Sequence, residues 1–316
     1  MKSSVTNILC RAAKSSVYAW LALSPAMTHA GQNPEVPICS RTTRQLLSAC
    51  QYAAADDYRV GIAVCLNQTN SPAMDQCYQE NRRTRGDALE ECAASKEVRD
   101  EICDATEGRA YDPVIDPTQF VSLINNPYAP FKPGSWWEYR GKGEDGTERS
   151  RVEVLEQHRE ILGVNTVAVR DRVWLNDEII EDTIDWLAQD VHGNVWYFGE
   201  LSKSYEGGVL SSLEGSFTAG QDGAKPGLWM KAAPHAGDLY RQEWLPGQAE
   251  DVVRVENLKA PDDVPFNNGK PVLMTRDFSP QSPGADELKF YVPGIGFVLE
   301  IEISSGERLE LVNFSH

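Results

Sequence analysis

Six cysteines between positions 39 and 103 follow one another at intervals of 11, 15, 12, 15 and 11 residues, a palindrome centred on position 71. A chain folded back there aligns Cys39 with Cys103, Cys50 with Cys92, and Cys65 with Cys77. The centre falls in Asn67-Gln68-Thr69-Asn70-Ser71-Pro72, polar turn formers ending in a proline suited to the first turn of a second helix. The flanks are rich in Ala, Leu, Glu, Arg and Gln and poor in β-branched residues, as a helix prefers. Two antiparallel helices stapled by those three disulfides are therefore expected. Six cysteines allow many connectivities, and here the mirror symmetry selects one. Along a helix an 11-residue step returns to within about 20° of the same face, whereas a 15-residue step drifts by about 60°. Gly61 and Gly86 lie in the longer intervals and are expected to supply a compensating bend. Metal-binding cysteines usually sit two to four residues apart, and the chain has no Cys-x-x-Cys, so no metal or cofactor is expected.

Residues 1–30 carry Lys2, Arg11 and Lys14 and no acid, then the mostly apolar run 17–23, then Thr28-His29-Ala30 before Gly31. That is the pattern of a secretory signal peptide, and Cys10 would leave with it. The apolar run is too short to span a bilayer, and no later segment approaches the necessary length. Export to the periplasm or cell exterior also suits the even cysteine count that remains, because disulfides persist in oxidising compartments. Losing the leader removes three bases and moves the formal charge from −17 to −20. Residues 111–316 alone hold 34 acids against 18 lysines and arginines. Such a surface repels phosphate backbones and anionic lipid heads, which argues against nucleic acid and direct membrane partners.

The order expected is a signal peptide (1–30), the six-cysteine helical hairpin (31–110), a proline-rich stiff linker (111–134) and an antiparallel β domain (135–316). The fold class is α+β, with the β domain a half-barrel or barrel-like sheet of ten or more strands. Its aromatic entry is Trp136-Trp137-Glu138-Tyr139. Two hairpins can be registered. Around Ser304-Ser305-Gly306 a three-residue loop sets Leu299 against Leu311, Ile301 against Leu309, Glu302 against Arg308 and Glu300 against Glu310. Around Val191-His192-Gly193 a similar loop pairs Asp190 with Asn194, Ala188 with Trp196 and Trp186 with Phe198, making one aromatic face opposite Asp185, Gln189 and Tyr197. Residues 215–237 read as a glycine-rich loop around Leu228-Trp229-Met230, and 261–271 as plain loop.

Asn126-Pro127-Tyr128, Pro133-Gly134, Trp137-Glu138-Tyr139, the segment from Asp185-Trp186 to Glu200, Gly223-Ala224-Lys225-Pro226-Gly227, the run from Gly237-Asp238 to Gln242-Glu243, and Tyr291-Val292-Pro293-Gly294-Ile295-Gly296 together resemble a family of exported bacterial proteins of unknown function. The resemblance covers most of the mature chain, cysteine hairpin and Tyr-Asp-Pro linker included. It implies export and a β-rich C-terminal domain and carries over no catalytic residue.

Recognised chemistry is sparse. There is no Gly-x-Ser-x-Gly elbow and no His-Glu-x-x-His, and the acids from Glu178 to Asp190 lack the spacing of a calcium loop. Asp185, Glu200 and Glu243 are the carboxylates singled out by the motif-like segments, with Tyr197 and Arg241 nearby. In Tyr240-Arg241-Gln242-Glu243-Trp244 strict alternation places Arg241 and Glu243 on one face. Trp186, Trp196, Tyr197, Trp229 and Arg241 are the residues expected to meet a ligand. Three readings follow. The first is a non-enzymatic binding or envelope-associated protein holding a small or apolar ligand, or an envelope component, in its β domain; it requires an interior cavity of roughly 300 Å³. The second is an extracellular hydrolase or lyase using paired carboxyls, and requires two of them to converge with at least one raised pKa. The third is a structural or assembly role for the hairpin.

Overall fold

The helix α1 (Ile38–Leu66) and the helix α2 (Ser71–Ala105) run without interruption on either side of the polar turn. Asn70 caps α2, its side chain accepting from the Ala73 N–H, with proline in the first turn. Disulfides Cys39–Cys103, Cys50–Cys92 and Cys65–Cys77 join them with Cα–Cα separations of 5.5, 5.8 and 5.4 Å. The glycines serve differently from the expected bend. A Cβ at Gly61 would overlap the Asn81 side chain, which crosses there to donate to the Tyr58 carbonyl at 3.0 Å, so Gly61 permits close approach of two continuous helices. Gly86 faces open space. The bridged cysteines are 64, 42 and 12 positions apart. Replacing Cys39 and Cys103 by serine is expected to cost about 2–4 kcal/mol, more than the same change at Cys65 and Cys77, because the longer loop restrains more of the unfolded chain. Urea unfolding under non-reducing conditions checks that order.

This computed structural model describes residues 36–260, 263–267 and 269–316, so the signal-peptide assignment lies outside the described residues. After the helices come a 3-10 turn (Pro117–Gln119) and the strands β1 (Phe120–Val121), β2 (Trp136–Gly143), β3 (Gly146–Ile161), β4 (Val164–Leu175), β5 (Glu178–Asp190), β6 (Val195–Leu201), β7 (Ser204–Glu206), β8 (Val209–Ser212) and β9 (Phe217–Thr218). The chain continues through β10 (Lys225–Met230), β11 (Leu239–Arg241), β12 (Glu243–Trp244), β13 (Val252–Ala260), β14 (Val272–Phe278), β15 (Glu287–Val292), β16 (Gly296–Glu302) and β17 (Arg308–Ser315). The ladder runs β2-β3-β4-β5-β6-β10, crosses to β13 through the short strands β11 and β12, and returns by β14, β15 and β16 to β17, which pairs with β2. The result is a nearly closed antiparallel barrel, more complete than a half-barrel. Side chains alternate between its two faces. On the outer face of β2–β5, Arg151 with Glu138, Arg172 with Glu153 and Arg170 with Asp182 form cross-strand ion pairs, and Arg151 also meets Glu153 along β3.

Segment 215–237 is more ordered than a loop: it contains β9 and β10, and β10 completes the ring by pairing with β6. The region 111–134, expected as a stiff linker, is held against the barrel. Tyr111 donates to the Pro226 carbonyl, Phe120 pairs with Asp190, and the Gln189 side chain accepts from the backbone N–H groups of Asn125 and Asn126.

The helical hairpin and barrel belong to one compact unit, Pro37–His316. Ser95, Val98, Arg99 and Ile102 recur at helical spacing on one face of α2, and that face docks on the outside of β13 and β14. Ile102 packs with Val252 and Phe278, and Ser95 donates to the Pro280 carbonyl. Glu101 meets Arg254 and Arg276, while Arg99 donates twice to Glu250.

Both registered hairpins need correction. Between β16 and β17 the partners are Leu299 with Glu310, Glu300 with Leu309, and Ile301 with Arg308, one residue away from the expected register. The loop has four residues because the Ile303 N–H bonds to the Asp286 carbonyl, and Glu302, which pairs with Glu307, accepts from the hydroxyls of Ser304 and Ser305. Glu300 and Glu310 therefore lie on opposite faces. Between β5 and β6 the loop is as expected, with Gly193 left-handed and Asp190 bonded to Asn194. Ala188 meets Trp196, but an irregularity at Phe198 sets Trp186 against Gly199. Trp186, Ala188, Trp196 and Phe198 still form one cluster, on the outside of the barrel, covered by Phe120 and Ile115.

Candidate functional site: a charged barrel interior

The strand pairings carry three polar belts around the inner wall. One joins Val169, Asp185 and Glu200 across β4, β5 and β6. A second joins Val152, Asp171 and Thr183 across β3, β4 and β5. The third joins Thr275, Lys289, Glu300 and Leu309 across β14 to β17. They surround a cavity of about 290 Å³. Seven aromatic side chains line it: Tyr128, Phe131, Trp137, Tyr139, Trp229, Tyr291 and Phe297. Six carboxyl groups also face it, Glu148, Asp171, Asp185, Asp277, Glu287 and Glu300, against Lys289 as the single cation.

The network is internally bonded. Lys289 Nζ lies 3.0 Å from Glu287, 3.5 Å from Asp277 and 3.6 Å from Glu300. Burial disfavours its ammonium, but those carboxylates outweigh burial and hold its pKa well above the ordinary value. Ser150 donates to Asp171 at 2.8 Å and Thr275 to Asp277 at 2.6 Å. Burial raises the Asp171 carboxyl to about 6, and raises Glu300 to about 7 against the pull of Lys289.

Asp185 and Glu200 are cross-strand partners, and the Tyr197 hydroxyl lies within hydrogen-bond reach of both. Burial lifts Asp185 to about 7, and burial with repulsion from Asp185 lifts Glu200 to about 9. A phenol has one proton to donate. The shorter contact is to Asp185, so the phenol proton lies there, and Glu200, the carboxyl that keeps its own proton to higher pH, meets the phenol oxygen. Glu243 joins the group electrostatically: burial, then Asp251, Glu200 and Asp185, push its carboxyl well above the carboxylate range.

The structure thus brings together four of the residues singled out by sequence, Asp185, Tyr197, Glu200 and Glu243. Trp229 joins them, edge-on to Tyr197 with ring centroids 5.2 Å apart. Trp186 and Trp196 sit on the outer wall. The Arg159 guanidinium covers Trp186, and Trp196 donates to Asp190 at 2.9 Å. Arg241 is separated from Glu243 because both Gln242 and Glu243 donate to the Asp251 carbonyl, which breaks the alternation. Gln242 faces the cavity and Arg241 faces the helical hairpin.

Sequence reasoning passed over Glu148, Asp171, Asp277, Glu287 and Lys289, and met Glu300 only as a partner of Glu310 that must be solvated or bind something. The signal was present in Glu287-Leu288-Lys289-Phe290-Tyr291, where period two aligns carboxylate, ammonium and phenol. Charged strand faces are ordinarily solvated, which hid it. Among the described residues no group of three or more His, Cys, Asp or Glu is arranged to hold a metal ion, and no helix is long and apolar enough to cross a membrane. Comparison of the chain with models of known families, with curated proteins and with solved structures gives no match.

Proposed function

We propose that this is an exported binding protein whose barrel encloses a small amphipathic ligand with an apolar or aromatic body and a cationic nitrogen. The observation that carries this reading is the cavity itself: its aromatic walls suit an apolar body, and six carboxyls against one lysine favour positive charge. Its volume lies near the lower end of small-molecule sites, which limits the ligand to a compact one. The three disulfides and the leader-like first thirty residues support export.

Isothermal titration calorimetry with tryptamine, and with a carboxylate of the same shape such as indole-3-propionate, tests the reading. The amine is expected to bind at least about ten-fold more tightly, a difference of about 1.4 kcal/mol. Val152→Phe, which fills the cavity, is expected to abolish binding. Equal affinities, no binding of either compound, or binding untouched by Val152→Phe overturns the proposal.

One observation favours a second reading. The Tyr197-bridged pair of Asp185 and Glu200 has carboxyls pushed to different values, the condition for an acid and a base side by side. Turnover of chromogenic aryl esters or glycosides that is lost in Asp185→Asn would establish acid–base catalysis; rates equal to solvent hydrolysis would remove it.

A further inference from the structure

Away from the barrel interior, a smaller crevice of about 90 Å³ lies where the foot of the hairpin, the segment after α2 and the outer side of the barrel meet. We propose that this crevice binds a small oxyanion, with Arg241 as its principal ligand.

Arg241 is only 8% exposed, and its Nη1 is buried without a hydrogen-bond partner. The nearest aromatic ring, that of Tyr111, has its centroid 5.8 Å from the guanidinium carbon. Burying an unmet charged donor is among the most unfavourable arrangements a fold can contain, so the position calls for a counter-charge. The protein supplies little. Glu250 is the carboxylate lining the crevice, and it already accepts from Arg99 through both Nε and Nη2, from the Gly247 N–H and from the Gln281 amide. Arg99 and Arg109 are already paired, with Glu250 and with Glu107, which leaves Arg241 as the cation on this crevice with an unmet donor.

The opposite wall adds a second attraction. Ile38, Cys39, Thr42 and Thr43, from the first two turns of α1, line the crevice. The N-terminus of that helix has no side-chain cap and no acidic residue in its first turn. The Cys39 N–H already donates to the Gly108 carbonyl at 3.2 Å, so what this helix start offers is chiefly the positive end of its macrodipole.

Size and access agree with a small anion. A water needs about 10–15 Å³ of such space, so the crevice holds several waters or one oxyanion. A shallower groove along Ala105, Thr106 and Leu239 shares Arg109, Ala110, Tyr111 and Arg241 with it and offers a way in from solvent.

The test uses the mature, disulfide-bonded protein. Thermal melting and calorimetric titration with inorganic phosphate, and separately with acetate, are compared with chloride at matched ionic strength. Saturable stabilisation by phosphate or by acetate is expected, and the tighter of the two assigns the ligand as a phosphate or a carboxylate. Arg241→Met should weaken that binding at least ten-fold while melting no lower than the parent in the absence of anion. If that variant does not fold, Arg109→Gln at the exposed mouth should weaken binding about three-fold, the loss of one charge–charge contact at the surface. The proposal is overturned if neither anion binds beyond chloride, or if the folded variant binds as well as the parent.

Discussion

Arg99→Ala should lower the unfolding free energy by about 3–5 kcal/mol, because it leaves Glu250 buried and unpaired beneath the hairpin. The pair is almost fully withdrawn from solvent, with Arg99 and Glu250 side chains 8% and 4% exposed. Desolvation of both ions offsets much of their attraction, so the pair itself contributes little net stability, and the large effect comes from removing one partner alone. The double replacement Arg99→Met with Glu250→Gln should therefore recover most of the loss, since the amide still accepts from Gly247 while the methionine fills the space between α2 and the barrel. Urea unfolding of the single and double variants measures the difference. A single-variant loss below about 1 kcal/mol would place the hairpin's attachment in the Ile102, Val252 and Phe278 contact instead.

Stability should fall as pH rises from 5 to 8.5, by on the order of 10 kcal/mol. Asp171, Asp185, Glu200 and Glu300 have folded values of about 6, 7, 9 and 7, all raised chiefly by burial. Unfolded carboxyls ionise near 4, so between about pH 4 and the folded values the native state holds protons that the unfolded chain has released. With fewer protons on the unfolded chain, the slope of unfolding free energy against pH is negative, and the loss accumulates until the folded values are passed. At the acid end the sign reverses. Asp182, whose hydrogen bonds from Arg170 outweigh burial, has a lowered pKa, and its stabilisation disappears as pH falls through that value. Maximum stability near pH 5 results. Glu200→Gln keeps a donor to Tyr197 but removes one titration, and should raise stability at pH 8.5 by about 5 kcal/mol while changing little at pH 5. Thermal melts across the range read both effects directly, and a flat profile would refute the buried, proton-sharing interior.

The two halves of the chain were unequally legible. The disulfide pairing could be read because cysteine spacing and helix geometry impose the same symmetry, and the three observed bridges follow it. The loop at Gly193 was readable from local turn chemistry. The register around Gly306 was not, because the bond from the Ile303 N–H to Asp286 comes from a different strand pair and is invisible in the hairpin's own residues. Convergence of Asp185, Tyr197, Glu200 and Glu243 could be guessed, since each lies in a short aromatic and acidic segment. Which way they point depends on ring closure, and that depends on β10, a strand whose Lys225-Pro226-Gly227 start resembles a turn. Pairing like with like across a hairpin fails wherever a protein buries charge. Leu309 opposite Glu300 is such a place, because both look into the cavity.

The join between β2 and β17 brings Tyr139 opposite Leu311, about 170 residues along the chain, whereas the bridges of the helical hairpin nest outward from a closure of only 12 residues. Order of assembly follows from that contrast. The helices can zip from their turn while the sheet is still incomplete, and loop-closure entropy makes the β2–β17 seam a late event. Until then two bare strand edges lie open, and a stray strand would find a template there. For a protein of this design, sealing that seam is the step that ends its exposure to aggregation.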